Sequence, residues 1–396
     1  MKTPAVILLL AGLPGLAAWG QAPRLLTLQE IKPAADSNFV ERVPAPGATW
    51  VEVSEPARML AVAYGPGTNQ HLGLFPLDET GRVTAATAPV RITLPKPAAL
   101  ATATNIVAGM ATHPVLPLLY VLQDIATYNQ QGFGDPKTNV VFQQLDRLFV
   151  YRLDPTNVQL VATIRGEYFY YGQFHTAGLF GAPLAVDAAN RRLYLPNLRD
   201  PEFTNEVRSA FGYLDLDDQG LPVMVDGQAA PPHLQQTFSA SAPVGFGWVP
   251  LSRDRVVLGC YFGLMTWAMD NRRAPVTAKN YGGPDWSSQI VGHPTLPIVY
   301  RTTSHIGRIM AIDLVDGYPS LFPQELDVAY TYRPQVMASR HQLAVGRAEG
   351  IFLVNLDAQG KLTPTVTSIL VADFTGNALR YSPRFDRLYV AAGKAP

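Results

Sequence analysis

The chain has 396 residues, 47% hydrophobic and only 16% charged, which supplies a core and excludes the disordered class. Its 31 Lys and Arg balance 31 Asp and Glu. A neutral chain without a basic run has no field to draw in nucleic acid or an acidic membrane surface, so nucleic-acid binding is set aside.

In chain order, the first twenty residues read as a secretory leader. Lys2 gives a short positive region, and the apolar stretch from Ala5 to Leu16 is broken by Gly12, Pro14 and Gly15. Ala18-Trp19-Gly20 then sets small residues before Gln21, as signal cleavage requires. The stretch is short for a membrane span, and no later segment is long and apolar enough to cross. The expected organisation is a signal peptide at 1–20 and a single domain at 21–396, in a secreted or periplasmic protein that is not transmembrane after cleavage. Two strand-like segments follow, Arg24 to Ile31 and Asn38 to Val43.

From Ser54 onward one phrase recurs: a small-residue strand, a turn with His-Pro, Asp or Ser-Pro, then a strand like Leu-Tyr-Val. Strong copies are His113-Pro114 leading to Leu119-Tyr120-Val121, Asp187 leading to Leu193-Tyr194-Leu195, His293-Pro294 leading to Ile298-Val299-Tyr300, and Ser382-Pro383 leading to Leu388-Tyr389-Val390. Weaker copies lead to Met59-Leu60-Ala61-Val62, Val256-Val257-Leu258 and Leu343-Ala344-Val345, making seven. A second phrase, apolar alternation ending in Leu-Asp or a variant, follows most copies, as at Leu77-Asp78, Leu153-Asp154 and Leu356-Asp357. Each unit therefore reads as four short antiparallel strands of mostly period-two patterning. The later copies recur at about 43 to 46 residues, the spacing of propeller blades. Radial packing of such sheets covers their faces and leaves only short edges, so the repeat predicts an all-β, seven-bladed β-propeller of four-stranded blades. The seventh copy ends the chain without outer strands, which predicts that the N-terminal segments complete the last blade. The sole cysteine, Cys260, rules out an intramolecular disulfide and reads as a buried strand thiol.

Ser382-Pro383-Arg384-Phe385-Asp386-Arg387-Leu388-Tyr389-Val390 resembles the repeat turn of the YVTN-type and lactonase-like seven-bladed propellers, and the Leu-Asp-x-x-Gly turns resemble the following part of that repeat. The resemblance runs along nearly the whole mature chain, and its motifs are structural. It implies the propeller fold and admits lactone hydrolysis among several roles.

Ligands of such rings usually meet one mouth of the central channel, rimmed by the loops that follow the Leu-Tyr-Val strands and precede the innermost strands. The loop from Gln123 to Arg147 carries Asp124 and Tyr128, and the run through Tyr170, Tyr171 and His175 is dense in aromatics suited to stacking on a flat ligand. Arg199, Asp200 and Glu202 cluster after the third Leu-Tyr-Leu strand, and His305 and Arg308 after the fifth. The ligand-binding candidates are thus Asp124, Tyr128, Tyr170, Tyr171, His175 and Arg199, and the catalytic candidates Asp200, Glu202, His305 and Arg308, as carboxylates and bases for a hydrolase. His113 and His293 fall at the opposite end, which assigns them to turn structure. The chain has no HExxH, GxSxG, P-loop or CxxC motif. No cofactor is expected, with a divalent cation in the channel left open. The leading reading is an exported, monomeric module that binds a protein, a glycan or a small molecule at the channel mouth. The alternatives are a lactonase-like hydrolase and an architectural envelope protein.

Overall fold

The computed structural model describes residues 24–65, 69–84, 89–95, 104–126, 146–165, 184–199, 209–236, 247–252, 254–260, 263–268, 275–279, 289–303, 307–320, 322–328, 331–348, 350–374 and 376–393. Seven of the sheets these form are the blades of a β-propeller, and the remaining one is a two-stranded hairpin of Met224–Val225 with Gln228–Ala229. The innermost strands, blade 1 to blade 7, are Trp50–Ser54, Thr104–Thr112, Ala185–Asp187, Gly247–Ser252, Gln289–Gly292, Tyr332–Met337 and Leu379–Ser382. Each packs on the next, and Leu379–Ser382 returns to Trp50–Ser54, so the ring closes around a central channel.

The core lies in the wedges between blades. Met59, Ala61 and Ala63 of blade 1 face Val107, Met110 and Val121 of blade 2, while Leu60 and Val62 turn the other way onto blade 7. A second strand is therefore buried on both faces, and Met59 to Ala63 is a continuous apolar run, one of the departures from the mostly period-two patterning of the repeat. The same logic makes Leu118 to Val121 and Leu343 to Val345 uninterrupted.

The two repeat phrases turn out to be halves of one contact. In three turns an aspartate side chain accepts from the two backbone amides that follow it at two and four residues: Asp78 from Thr80 and Arg82, Asp217 from Gln219 and Leu221, Asp357 from Gln359 and Lys361. Gly81, Gly220 and Gly360 in these turns have φ of +77°, +73° and +75°, a region that only glycine enters freely. Each glycine carbonyl accepts a hydrogen bond from the tyrosine hydroxyl of the preceding blade: Tyr389 to Gly81 at 2.6 Å, Tyr120 to Gly220 at 2.6 Å and Tyr300 to Gly360 at 2.7 Å. Burial raises the pKa of all three phenols, so they remain donors.

The N-terminal segment completes blade 7 as the sequence predicts, and it also extends two other blades. Arg24–Leu26 adds to Gln324–Asp327 at the edge of blade 5, Glu30–Pro33 to Leu362–Leu370 of blade 6, and Val40–Pro44 to Arg387–Ala392 of blade 7, all in parallel. Blade 7 is three-stranded, so Val40–Pro44 stands in the third-strand position yet runs in the direction of a fourth strand. Topology requires this direction, because the segment must end at the channel end where Trp50 begins the next innermost strand. Phe39 and Val43 are buried in the wedge shared by blades 6, 7 and 1.

Candidate functional site: the central channel

The innermost strands of six blades line a cavity of about 290 Å³. Small and apolar residues form much of its wall, including Ala111, Ala185 and Ile290. Against them stand Trp50 and Glu52 from blade 1, Gln289 from blade 5, Arg333 and Gln335 from blade 6, and Arg380 from blade 7.

These polar side chains are held by one another. In Trp50–Ser54, residues 50 and 52 share a face of the strand, and the Trp50 indole N–H donates to Glu52 Oε1 at 3.2 Å. Arg380 Nε lies 3.3 Å from Glu52 Oε2. Gln289 Oε1 accepts the Arg333 backbone amide at 2.7 Å, tying blade 5 to blade 6. Gln335 Oε1 accepts the Tyr381 amide at 3.3 Å, tying blade 6 to blade 7.

Arg333 is the most unusual residue of the group. It sits in a β-bulge, where the pairing of Tyr332–Met337 with Gln342–Arg347 slips between Tyr332 and Gln335. Its φ is +42°, a region an L side chain enters only under strain. Bulges of this kind re-aim a side chain, and here the guanidinium lies over Trp50, its Cζ 3.3 Å from the ring centroid. Only 7% of Arg333 is exposed. Its Nη2 is sealed from solvent with no hydrogen-bond partner among the described residues. Burial lowers its pKa to about 9, with Glu52 pulling upward and Arg380 pushing down, so the group is a cation at neutral pH.

Chemically, the cavity offers an aromatic platform, two guanidinium groups against one carboxylate, and two amides. The one hydroxyl among its lining residues, on Thr112, donates to the Val53 carbonyl. Among the described residues no cluster of three or more His, Cys, Asp or Glu could hold a metal ion, and no helix is long and apolar enough to cross a membrane.

Most sequence-predicted site residues lie outside the described residues: Tyr128, Tyr170, Tyr171, His175, Asp200, Glu202 and His305. Asp124 lies within Leu118–Ala126, so the second strand of blade 2 runs further than the predicted loop boundary at Gln123. Arg199 ends Arg192–Arg199 and pairs with Ser209. Arg308 begins the third strand of blade 5 and donates to Glu325 at 2.6 Å, outward of the channel wall. Cys260 ends a strand of blade 4 as expected. His113 and His293 occupy the inter-strand turns assigned to them, each Nδ1 accepting two backbone amides. The channel residues Trp50, Glu52, Gln289, Arg333 and Arg380 went unnoticed in the sequence. Their signal was charge and amide on innermost strands, which elsewhere in the repeat carry small apolar residues.

Comparison with solved structures returns propellers. The chain superposes on a structure of the mitotic checkpoint complex with a TM-score of 0.57 at 11% identity, covering 99% of this chain and 96% of that one. It superposes on the Cps50 (Swd1) β-propeller domain of Myceliophteria thermophila with a TM-score of 0.54 at 9% identity, covering 87% and 93%. A proposed 6-phosphogluconolactonase from Bacteroides fragilis gives 0.51 at 12% identity, covering 86% and 90%. At such identities the likeness is one of fold. No protein-family description and no curated protein matches the chain. What the fold and these likenesses define is a seven-bladed β-propeller.

Proposed function

We propose that this protein is an exported binding propeller that takes a small ligand in its central channel. The observation that carries the reading is the cavity of about 290 Å³ among the innermost strands, where buried polar groups converge on apolar walls. Such concave, mostly apolar sites with a few placed polar groups are where ligands bind, and this volume suits a small one. Asp124 and Arg199, on second strands of their blades, and Tyr128, Tyr170, Tyr171 and His175, on the expected mouth loops, would add contacts for a larger ligand, a glycan or a protein. The leader at residues 1–20 supports export, and N-terminal sequencing of the mature protein should begin at Gln21.

The test is a thermal-shift screen of the purified protein against small charged and neutral fragments. Ligands should raise the melting temperature in proportion to concentration. Trp50→Ala should abolish those shifts while the far-ultraviolet spectrum stays that of a β protein. Shifts that survive Trp50→Ala would move the site away from the channel.

A further inference from the structure

We propose that the channel ligand is a small organic carboxylate, received by the unpartnered edge of Arg333. The inference rests on the channel-binding reading above and adds the chemical class. Four features of the channel point to it.

First, Arg333 is a buried cation without a direct ion-pair partner among the described residues. The nearest carboxylate system, Glu52, is engaged by Arg380 at 3.3 Å and by the Trp50 indole at 3.2 Å. Buried charges are ordinarily matched by hydrogen-bonded counter-charges, so a guanidinium with a sealed, unbonded Nη2 marks a missing group.

Second, the way Arg333 is held leaves its N–H edge out of the ring contact. Stacking on Trp50 uses a face of the guanidinium plane, whereas N–H donors point outward within that plane. A planar, two-oxygen acceptor matches that fork.

Third, the charge count selects the ligand. Arg333 and Arg380 against Glu52 leave an excess of one positive charge in the cavity. A monoanion neutralises it. A dianion such as hydrogen phosphate would leave an excess negative charge beside Glu52 in a poorly solvated space.

Fourth, the backbone is strained at this residue alone of the channel's polar group. The bulge and the φ of +42° at Arg333 serve no pairing of the sheet, since they interrupt it. Strain of this kind persists where the surrounding structure imposes a working geometry. The Gln289 side chain, accepting the Arg333 amide at 2.7 Å, supplies that constraint from the preceding blade.

The experiment is isothermal titration of the purified protein with sodium benzoate, with its neutral isostere benzamide, and with inorganic phosphate, at constant ionic strength set by sodium chloride. Benzoate is expected to bind at least tenfold more tightly than benzamide and than phosphate. Arg333→Gln is expected to weaken benzoate at least tenfold and to leave benzamide unchanged. Benzamide binding as tightly as benzoate would overturn the carboxylate assignment while leaving channel binding intact. So would benzoate affinity that survives Arg333→Gln, or phosphate as the preferred anion. If the channel takes none of these probes and no neutral fragment shifts the melting temperature, the binding reading falls with it. The benzoate and benzamide comparison uses the unmodified chain, so it decides the matter even if Arg333→Gln does not fold.

Discussion

His113 and His293 occupy equivalent places in blades 2 and 5 and do the same work. The imidazole Nδ1 of His113 accepts the amides of Val115 at 3.2 Å and Leu116 at 3.0 Å, and that of His293 accepts Thr295 at 3.2 Å and Leu296 at 3.0 Å. An acceptor at Nδ1 requires the neutral ring. Burial lowers the pKa of both, helped at His293 by the charge of His341. A histidine with a depressed folded pKa contributes stability that is fully present above its unfolded value of about 6.5 and is lost as pH falls toward the folded value. Stability should therefore be level above about pH 7 and decline as the pH drops below 6.5, before the carboxylates begin to titrate. His113→Asn with His293→Asn keeps a short acceptor for the turn and removes the titration. In urea titrations the double variant should show a shallower decline between pH 7 and 5 than the parent. An identical decline would mean that other groups set the acid limb. His113→Ala has no acceptor and should cost about 1–2 kcal/mol at pH 7.5. This turn role was legible in the sequence because the His-Pro pair recurred with the fold. Arg333 was not, because nothing in Tyr332-Arg333-Pro334-Gln335 announces which residue of the strand will bulge.

Between elements, the main directional contact is the tyrosine that reaches the glycine turn of the next blade. Packing alone is non-directional and would let neighbouring blades slide in the apolar wedge. The hydrogen bonds from Tyr120 to Gly220, Tyr300 to Gly360 and Tyr389 to Gly81 fix their relative height. Tyr120→Phe keeps the ring in the wedge and strands the Gly220 carbonyl, so a loss of about 1 kcal/mol is expected. Gly220→Ala should cost more. Its φ of +73° is unfavourable for alanine by roughly 1–2 kcal/mol, and the added carbon would lie 2.8 Å from Leu118 Cδ1. Equilibrium urea unfolding of both variants checks the order, and a Gly220→Ala protein as stable as Tyr120→Phe would show that the turn tolerates repacking. The two halves of this latch, Leu-Tyr-Val and Leu-Asp-x-x-Gly, were both visible as repeated phrases. Their partnership was not, since it joins different blades: Tyr120 and Gly220 are 100 residues apart.

At the scale of the whole ring, closure depends on the N-terminal segment. The sequence pointed to it through the strand-like segments Arg24 to Ile31 and Asn38 to Val43, which belong to no copy of the repeat. It did not expose the direction of pairing or the additions to blades 5 and 6, which follow from where the chain must arrive to begin Trp50. The three added strands are unequal. Glu30–Pro33 is exposed throughout and Leu25 is half-exposed, so the first two cover edges. Val40–Pro44 instead supplies the third strand of blade 7, and with it Phe39 and Val43 enter the core that joins blades 6, 7 and 1. Arg387 reinforces the joint by donating to the Asn38 carbonyl at 3.2 Å. A protein beginning at Ala35 should therefore stay folded with a modest loss of stability, because mainly edge strands are removed. One beginning at Ala45 should lose about 3–6 kcal/mol from Phe39 and Val43 alone, and blade 7 would be left as a two-stranded hairpin that cannot stand unaided. Hydrogen exchange of the two truncations makes the comparison specific. In the shorter protein, protection should fall first in Leu379–Ser382 and Arg387–Ala392, while blades 3 and 4 on the far side of the ring keep theirs. Uniform loss of protection would mean that the ring unfolds as one unit once it is opened, and that closure by Val40–Pro44 governs every blade equally.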